Sequence, residues 1–394
     1  MHNDITRFNF HERSCAMTMP DERYRAVVYA DEFLRAISDP TITKRIPKEI
    51  RQRAISILRH YPSTWDLDRA SDGAPDVFQP RMEDVTRMFK QYEQSKVAKK
   101  KMKTSLVVGM GIGNLYATVL ANLGHTVITV DQDPNKKADF ETVDSAIVAH
   151  QMFDTVHICT PNFTHFEIAA KVAPVSKIVF IEKPGVATSL TWCKLITTFP
   201  QTRFIMVKNN MWRSNIDDLK ALANKAKTVN IRWIRKNCIP HPGSWFTTRK
   251  LAFGGVSRDL MPHLLSLYVA LNPKWRTESV NGKGAQMMWN LEDIDSTEYG
   301  IVNPKGTYDV DDRCHINFGS KWCLVADWRT MDKDDSSIEF IMQDNTVERF
   351  ELGWCPEDAY QSMIKEAVER VDDYQFWLEQ FDIDTWIHER IENL

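Results

Sequence analysis

The stretch SLVVGMGIGNLYATVLANLGHTVITVD, running from Ser105 to Asp131, decides the fold. It opens with a short, fully apolar run of the kind that forms a strand buried on both faces, and that run ends in glycines. NLYATVLANLG then has helical spacing, and HTVITVD is β-branched again. Strand, glycine turn, helix, strand is the opening of a parallel sheet built from crossover units. The pattern continues outward through FDTVHICTP, KIVFIEKP and RFIMVKNN, with helical segments between them. The expectation is an α/β unit with a doubly wound parallel sheet.

The glycine turn carries a chemical expectation. Gly109, Gly111, Ile112 and Gly113 lie between a buried strand and a helix, where glycine lets a pyrophosphate approach backbone N–H groups at the helix start. The spacing departs from G-x-G-x-x-G: the third glycine, Gly113, arrives one residue early, and Asn114 holds the usual place. Asp131 ends the second strand about 20 residues on, where a carboxylate reaches the ribose hydroxyls of the adenosine half. A carboxylate there repels a 2′-phosphate, so NAD is the expected cofactor, although Lys136 and Lys137 keep NADP in contention. Ligands of an open parallel sheet collect at the carboxyl ends of its strands. That places Thr160, Pro161, Asn162 and His165 of CTPNFTH, together with Glu182 and Lys183 of IEKP, along the cofactor crevice.

From about Asn209 the rhythm changes. One helical segment is followed by strand-like runs without helices between them: VNIRWIRKN, CHINFG, KWCLVADWRT, SSIEFIMQD and TVERFEL. This reads as an α+β domain with an open, mainly antiparallel sheet, closed by a helical C-terminal segment from Asp358. Before the first strand, DERYRAVVYADEFLRAIS, PKEIRQRAISILRHYPS and PRMEDVTRMFKQYEQSKVA have helical patterns behind a polar tail, residues 1–16. The expected organisation is a helical N-terminal appendage over 1–100, a dinucleotide-binding domain over 101–212 and a substrate-binding domain over 213–394. The lysine cluster KVAKKKMK reads as a solvated connector.

Composition narrows the partners. The chain has 394 residues, a hydrophobic fraction of 43% and a formal charge of -3, which gives no electrostatic case for nucleic acid or an anionic membrane. Seven scattered cysteines, none in C-x-x-C spacing, suggest reduced thiols and no metal site, and no apolar run approaches the roughly 20 residues of a membrane span. A cytoplasmic enzyme acting on a small molecule is expected.

GGVSRDLMPH carries Asp259 and His263 four residues apart in an otherwise small and apolar context. Together VVGMGIGN, Asp131, CTPNFTH, EKP, VKNNMWR and GGVSRDLMPH resemble, in order, the glucose-fructose oxidoreductase and inositol dehydrogenase family (Gfo/Idh/MocA), from about Lys103 to the C-terminus. The resemblance implies a Rossmann domain, an NAD(P)-dependent hydride transfer with a sugar, cyclitol or related polyhydroxy substrate, and oligomerisation through the exposed face of the second sheet. It implies that Lys183, Asp259 and His263 form the catalytic group. His263 is the expected acid–base residue, Asp259 is expected to orient it or bind a substrate hydroxyl, and Lys183 to supply positive charge beside the reacting oxygen. One departure is Val256, where the family often has a third glycine. Asn209, Asn210, Arg213, His241, Trp245, Arg249 and Arg258 are further polar and aromatic candidates. Two alternatives stand beside this expectation: a biliverdin-reductase-like reductase of the same fold, and a dinucleotide-binding regulatory protein without turnover.

Overall fold

The computed structural model describes residues 20–40, 42–62, 64–74, 77, 104–330, 332–353 and 355–394. The chain divides into two compact units, Met1–Asp84 and Val85–Leu394. In the first, α1 (Pro20–Ser38), α2 (Lys48–Leu58) and α3 (Thr64–Gly73) are amphipathic helices. Arg51 of α2 donates to the carbonyl of Ile37 at 2.7 Å and also to that of Thr43, satisfying acceptors at and just beyond the end of α1. Tyr61 donates to Val27 O at 3.2 Å. The expected helix over 80–98, the polar tail and the lysine cluster lie outside the described residues.

The second unit contains two sheets. The first has strands β1 (Thr104–Val108), β2 (Thr126–Val130), β3 (Phe153–Ile158), β4 (Ser176–Ile181) and β5 (Arg203–Met206) in the order β2-β1-β3-β4-β5, all parallel. Crossovers are made by α4 (Gly113–Asn122), α5 (Val143–His150), α6 (His165–Val172) and α7 (Ser189–Thr198). Strand side chains alternate between faces, so Leu106 and Val108 enter one core while Val107 enters the other. That second core is completed by Tyr116, Val119 and Leu120 of α4 and by the C-terminal helices α12 (Glu357–Glu369) and α13 (Tyr374–Glu392). The end of the chain thus returns to cover the first sheet. The join includes a buried ion pair, Lys208 Nζ to Asp384 Oδ1 at 2.6 Å, and the other oxygen of Asp384 accepts the N–H of Met206 at 3.0 Å.

After α8 (Ile216–Lys225), the second sheet is built from β6 (Thr228–Lys236), β7 (Val280–Gln286), β8 (Arg313–Phe318), β9 (Trp322–Thr330), β10 (Asp335–Ile341) and β11 (Val347–Glu351). Their order is β11-β10-β6-β9-β8-β7, antiparallel except for the central parallel pair β6 and β9. Val229, Ile231 and Trp233 of β6 face the core, while Arg232 faces outward into a charged network with Glu339 and Asp335. Three short helices lead into the site, α9 (Arg249–Ala252), α10 (Val256–Asp259) and α11 (Met261–Leu271), and the last two pack on the second sheet. Among the described residues, no helix is long and apolar enough to cross a membrane.

Candidate active site

A cavity of about 1110 Å³ lies between the carboxyl ends of β1 to β4 and the core-side end of the second sheet. Its first wall is the glycine turn. Gly109 has φ of +90°, and a Cβ there would sit 2.7 Å from the carbonyl oxygen of Cys159. Glycine is therefore required for backbone conformation and for close approach to the β3 end. Gly111 faces open space, with no atom within 4 Å of the point a Cβ would occupy. Gly113 does not line the cavity: a Cβ there would meet Val107 Cγ1 at 2.9 Å. The early third glycine thus gives α4 its close packing on β1, the same service the later position performs in the usual spacing.

No side chain caps the start of α4. Its N–H groups and the positive end of the helix dipole face a cavity whose wall at Gly111 leaves room for a bulky anion. Asp131, at the tip of β2, accepts the N–H of Met110 at 2.6 Å and that of Asp133 at 2.9 Å, so its carboxylate is fixed beside the turn. These residues fit a dinucleotide: room at the pyrophosphate position, a helix start without a side-chain cap and an acid at the ribose position.

Thr160, Pro161, Asn162, Glu182 and Lys183 all line the cavity, as do Ile112 and Asp131. Asn162 also donates to Ala252 O at 2.9 Å, tying the β3 loop to α9. His165 is different. It is fully buried, with Nδ1 at 2.7 Å from Gly185 O and Nε2 at 2.8 Å from Thr160 O, and it lies outside the cavity lining. The expected place at the crevice is corrected on this point: the imidazole sits behind the two strand-end loops and holds their backbones. Glu182 is anchored from behind as well, accepting the hydroxyl of buried Tyr116 at 2.5 Å. Burial pushes its carboxyl above the ordinary range, although Lys183 works against this.

Lys183 and Asp259 form a largely buried ion pair. The other Asp259 oxygen accepts the indole N–H of Trp328 at 2.8 Å. Burial pushes the Asp259 carboxyl up, but the ammonium and the two hydrogen bonds outweigh it and hold the group below its usual value. Burial pushes Lys183 down, yet Asp259 and Glu182 outweigh it, and its net shift is upward. The pair is therefore charged at neutral pH.

Asp259 and His263 do not share one continuous helix. Asp259 ends α10, Leu260 has φ -98° and ψ -35°, and α11 begins at Met261 with Pro262 in its first turn. Proline at that position has no N–H to leave unsatisfied, so it suits a helix start. Both side chains still line the cavity. The hydrogen-bond partner of His263 is Asn210, 3.2 Å from Nδ1, and Asn210 accepts from Arg213 Nε at 2.8 Å. Asp259 therefore orients Lys183, and Asn210 orients the imidazole. Burial, with Lys183 adding to it, pushes His263 down to about 3.

The loop before α10 is set by Asp311, which accepts the N–H of Gly255 at 3.0 Å and of Ser257 at 2.8 Å. A Cβ on Gly255 would lie 1.8 Å from Asp311 O, so only glycine fits. The next residue, Val256, is fully buried in the core and needs no such approach. Trp245 lines the cavity, stacked on Phe246 at 3.9 Å, and His241 lines it too. Arg249 and Arg258 do not line it: Arg249 bonds to Asp309, and Arg258 is buried with its guanidinium on Ala187 O at 3.0 Å. The sequence candidates did not include Trp328, which lines the cavity, or Tyr116 and Asp311, which support the site from behind. Trp328 alone carried a signal, since alternation along LVADWR puts it on the inward face with Leu324 and Ala326.

Comparison with known proteins agrees with this geometry. Residues 104–207 match an oxidoreductase family with the NAD-binding Rossmann fold, GFO_IDH_MocA. A protein of Amycolatopsis mediterranei (strain S699), provisionally named a UDP-kanosamine synthase oxidoreductase subunit, is 27% identical over 218 residues. That match covers 50% of this chain and 61% of that relative's length. Among solved structures, GenD2 from gentamicin A biosynthesis, in complex with NAD, has a TM-score of 0.55 at 18% identity, covering 73% of this chain and 96% of that one. D-galactose-1-dehydrogenase from Rhizobium etli has a TM-score of 0.56 at 17% identity, covering 75% and 95%. At these identities the structural likeness speaks for the fold.

Proposed function

Because residues 104–207 match the Gfo/Idh/MocA oxidoreductase family with its NAD-binding Rossmann fold, we propose that this protein is an NAD-dependent dehydrogenase or reductase of a sugar, cyclitol or related polyhydroxy compound. One observation carries the reading. Lys183 from the end of β4 and Asp259 and His263 from consecutive helices of the second domain line one cavity with the glycine turn and Asp131.

Hydride chemistry belongs to the nicotinamide when bound. The chain's own contribution is electrostatic and positional. The Lys183 ammonium, fixed by Asp259, stabilises negative charge on an oxygen at the reacting carbon, and His263 faces the same space. Trp233, Trp245, Phe246, Tyr299 and Trp328 supply aromatic surface around that space, suited to the apolar faces of a sugar ring. Asp131 favours NAD by repelling a 2′-phosphate.

NADH fluorescence on mixing, followed by an absorbance screen against aldoses and cyclitols, tests the proposal. Binding and turnover are expected, with His263→Ala lowering turnover by about 10²–10³-fold. Binding without turnover across the panel favours the regulatory alternative.

A further inference from the structure

The orientation of one amide decides what His263 can do. A guanidinium Nε–H can only donate, so the Asn210 atom 2.8 Å from Arg213 Nε must be the amide oxygen. The Asn210 NH₂ group is then the one 3.2 Å from His263 Nδ1, and it can only donate. Nδ1 must therefore carry a lone pair, and the single proton of the neutral ring sits on Nε2. We propose that Asn210, braced by Arg213, is a positioning residue that holds His263 in its Nε2–H form, so that the imidazole serves the substrate oxygen as a neutral hydrogen-bond donor and keeps its proton throughout. The proposal rests on the oxidoreductase reading of this cavity and deepens it.

The alternative, acceptance of the substrate's hydroxyl proton at Nε2, needs a lone pair that this tautomer lacks. A second ring proton would have to enter at Nδ1, against the Asn210 donor. The charged groups around the ring oppose that too: burial, then Lys183 from the β4 end and Arg213 after β5, disfavour the cation, while Asp259 from α10 favours it. From β6 the ring is faced by Trp233, centroids 5.4 Å apart, which carries no charge.

The transferred proton then falls to Lys183. In the alcohol-forming direction the carbonyl carbon gains hydride from the reduced dinucleotide. The oxygen forms its O–H bond as an N–H bond of Lys183 breaks, and the resulting amine, still beside Asp259, regains a proton from solvent. In the reverse direction Lys183, charged at neutral pH beside Asp259, first releases a proton to solvent, and its amine then takes the hydroxyl proton.

Tautomer is observable without substrate. Long-range proton–nitrogen correlation on histidine-labelled protein, with the His263→Gln spectrum subtracted to assign the ring among 11 histidines, distinguishes the two forms. The expected pattern is a pyridine-type Nδ1 and a pyrrole-type Nε2 that persist from about pH 8 down to about pH 5, across the range where an unperturbed imidazole titrates. In Asn210→Asp the new carboxylate accepts at Nδ1. The expected results are a reversed pattern, carbonyl reduction slowed by about 10²-fold, retained cofactor affinity, and an acid limb in alcohol oxidation. A pyrrole-type Nδ1 in the parent, or a ring that titrates between about pH 5 and 8, overturns the proposal even if the variant fails to fold. Lack of turnover on every polyol would reject the dehydrogenase function and the donor role with it, while the spectrum would still decide the tautomer.

Discussion

Lys183 and Asp259 are joined as an ion pair although 76 positions separate them in sequence, one at a strand end of the first sheet and the other at the end of a helix over the second. Trp328 fixes the second carboxylate oxygen. Asp259→Asn keeps the shape and the indole acceptor but leaves the ammonium without its partner. We expect kcat to fall by about 10²-fold while NADH affinity stays near the parent value, measured by steady-state rates and fluorescence titration.

The two glycines of the turn should separate stability from binding. Gly109→Ala forces a side chain into positive φ and against Cys159 O, so a loss of about 1–3 kcal/mol in folding stability is expected by denaturant unfolding. Gly111→Ala meets no protein atom. It should leave the melting temperature nearly unchanged and weaken NADH binding, because the methyl occupies space toward the pyrophosphate.

Asp131→Ala removes the charge that opposes a 2′-phosphate. The ratio of NADP to NAD affinity should rise by about tenfold, or roughly 1.4 kcal/mol. An unchanged ratio would place cofactor choice elsewhere in the cavity.

Buried histidines set the acid limit of the fold. Burial pushes His157 and His388 down to about 3 each, below the ordinary 6.5 of the unfolded chain. The unfolded state therefore takes up these protons first, and stability present above about pH 6.5 is lost as pH falls toward 3. Each contributes a slope of up to about 1.4 kcal/mol per pH unit. Asp384, pushed up to about 6 by burial, works in the opposite sense between that value and its unfolded one. His157→Gln should flatten the acid limb of an unfolding series, and a limb of unchanged steepness would contradict this expectation.

Much of the architecture was legible because strand burial and glycine turns write themselves into local sequence. SLVVGMG and its successors place β1 to β5, and the polar strand ends place the crevice. What was not legible depends on distance in three dimensions. Nothing local in THFEI says that His165 faces two backbone carbonyls rather than solvent, and nothing in NNMWR says that Asn210 faces His263. The four-residue spacing of Asp259 and His263 suggested mutual contact, but Leu260 and Pro262 start a new helix between them and each side chain finds another partner. The central parallel pair β6 and β9 was also hidden, since strands without intervening helices read as antiparallel.

The central claim is that an ammonium held at the end of β4 acts on a substrate oxygen beside a bound dinucleotide. Its most direct test is the initial rate of NADH formation across a panel of cyclitols and aldoses, for the parent and for Lys183→Ala. Turnover of at least one polyol by the parent is expected, lowered by about 10²–10⁴-fold in the variant with NADH binding retained. A variant rate within a few-fold of the parent, or a parent that binds NADH and oxidises none of the panel, would contradict it.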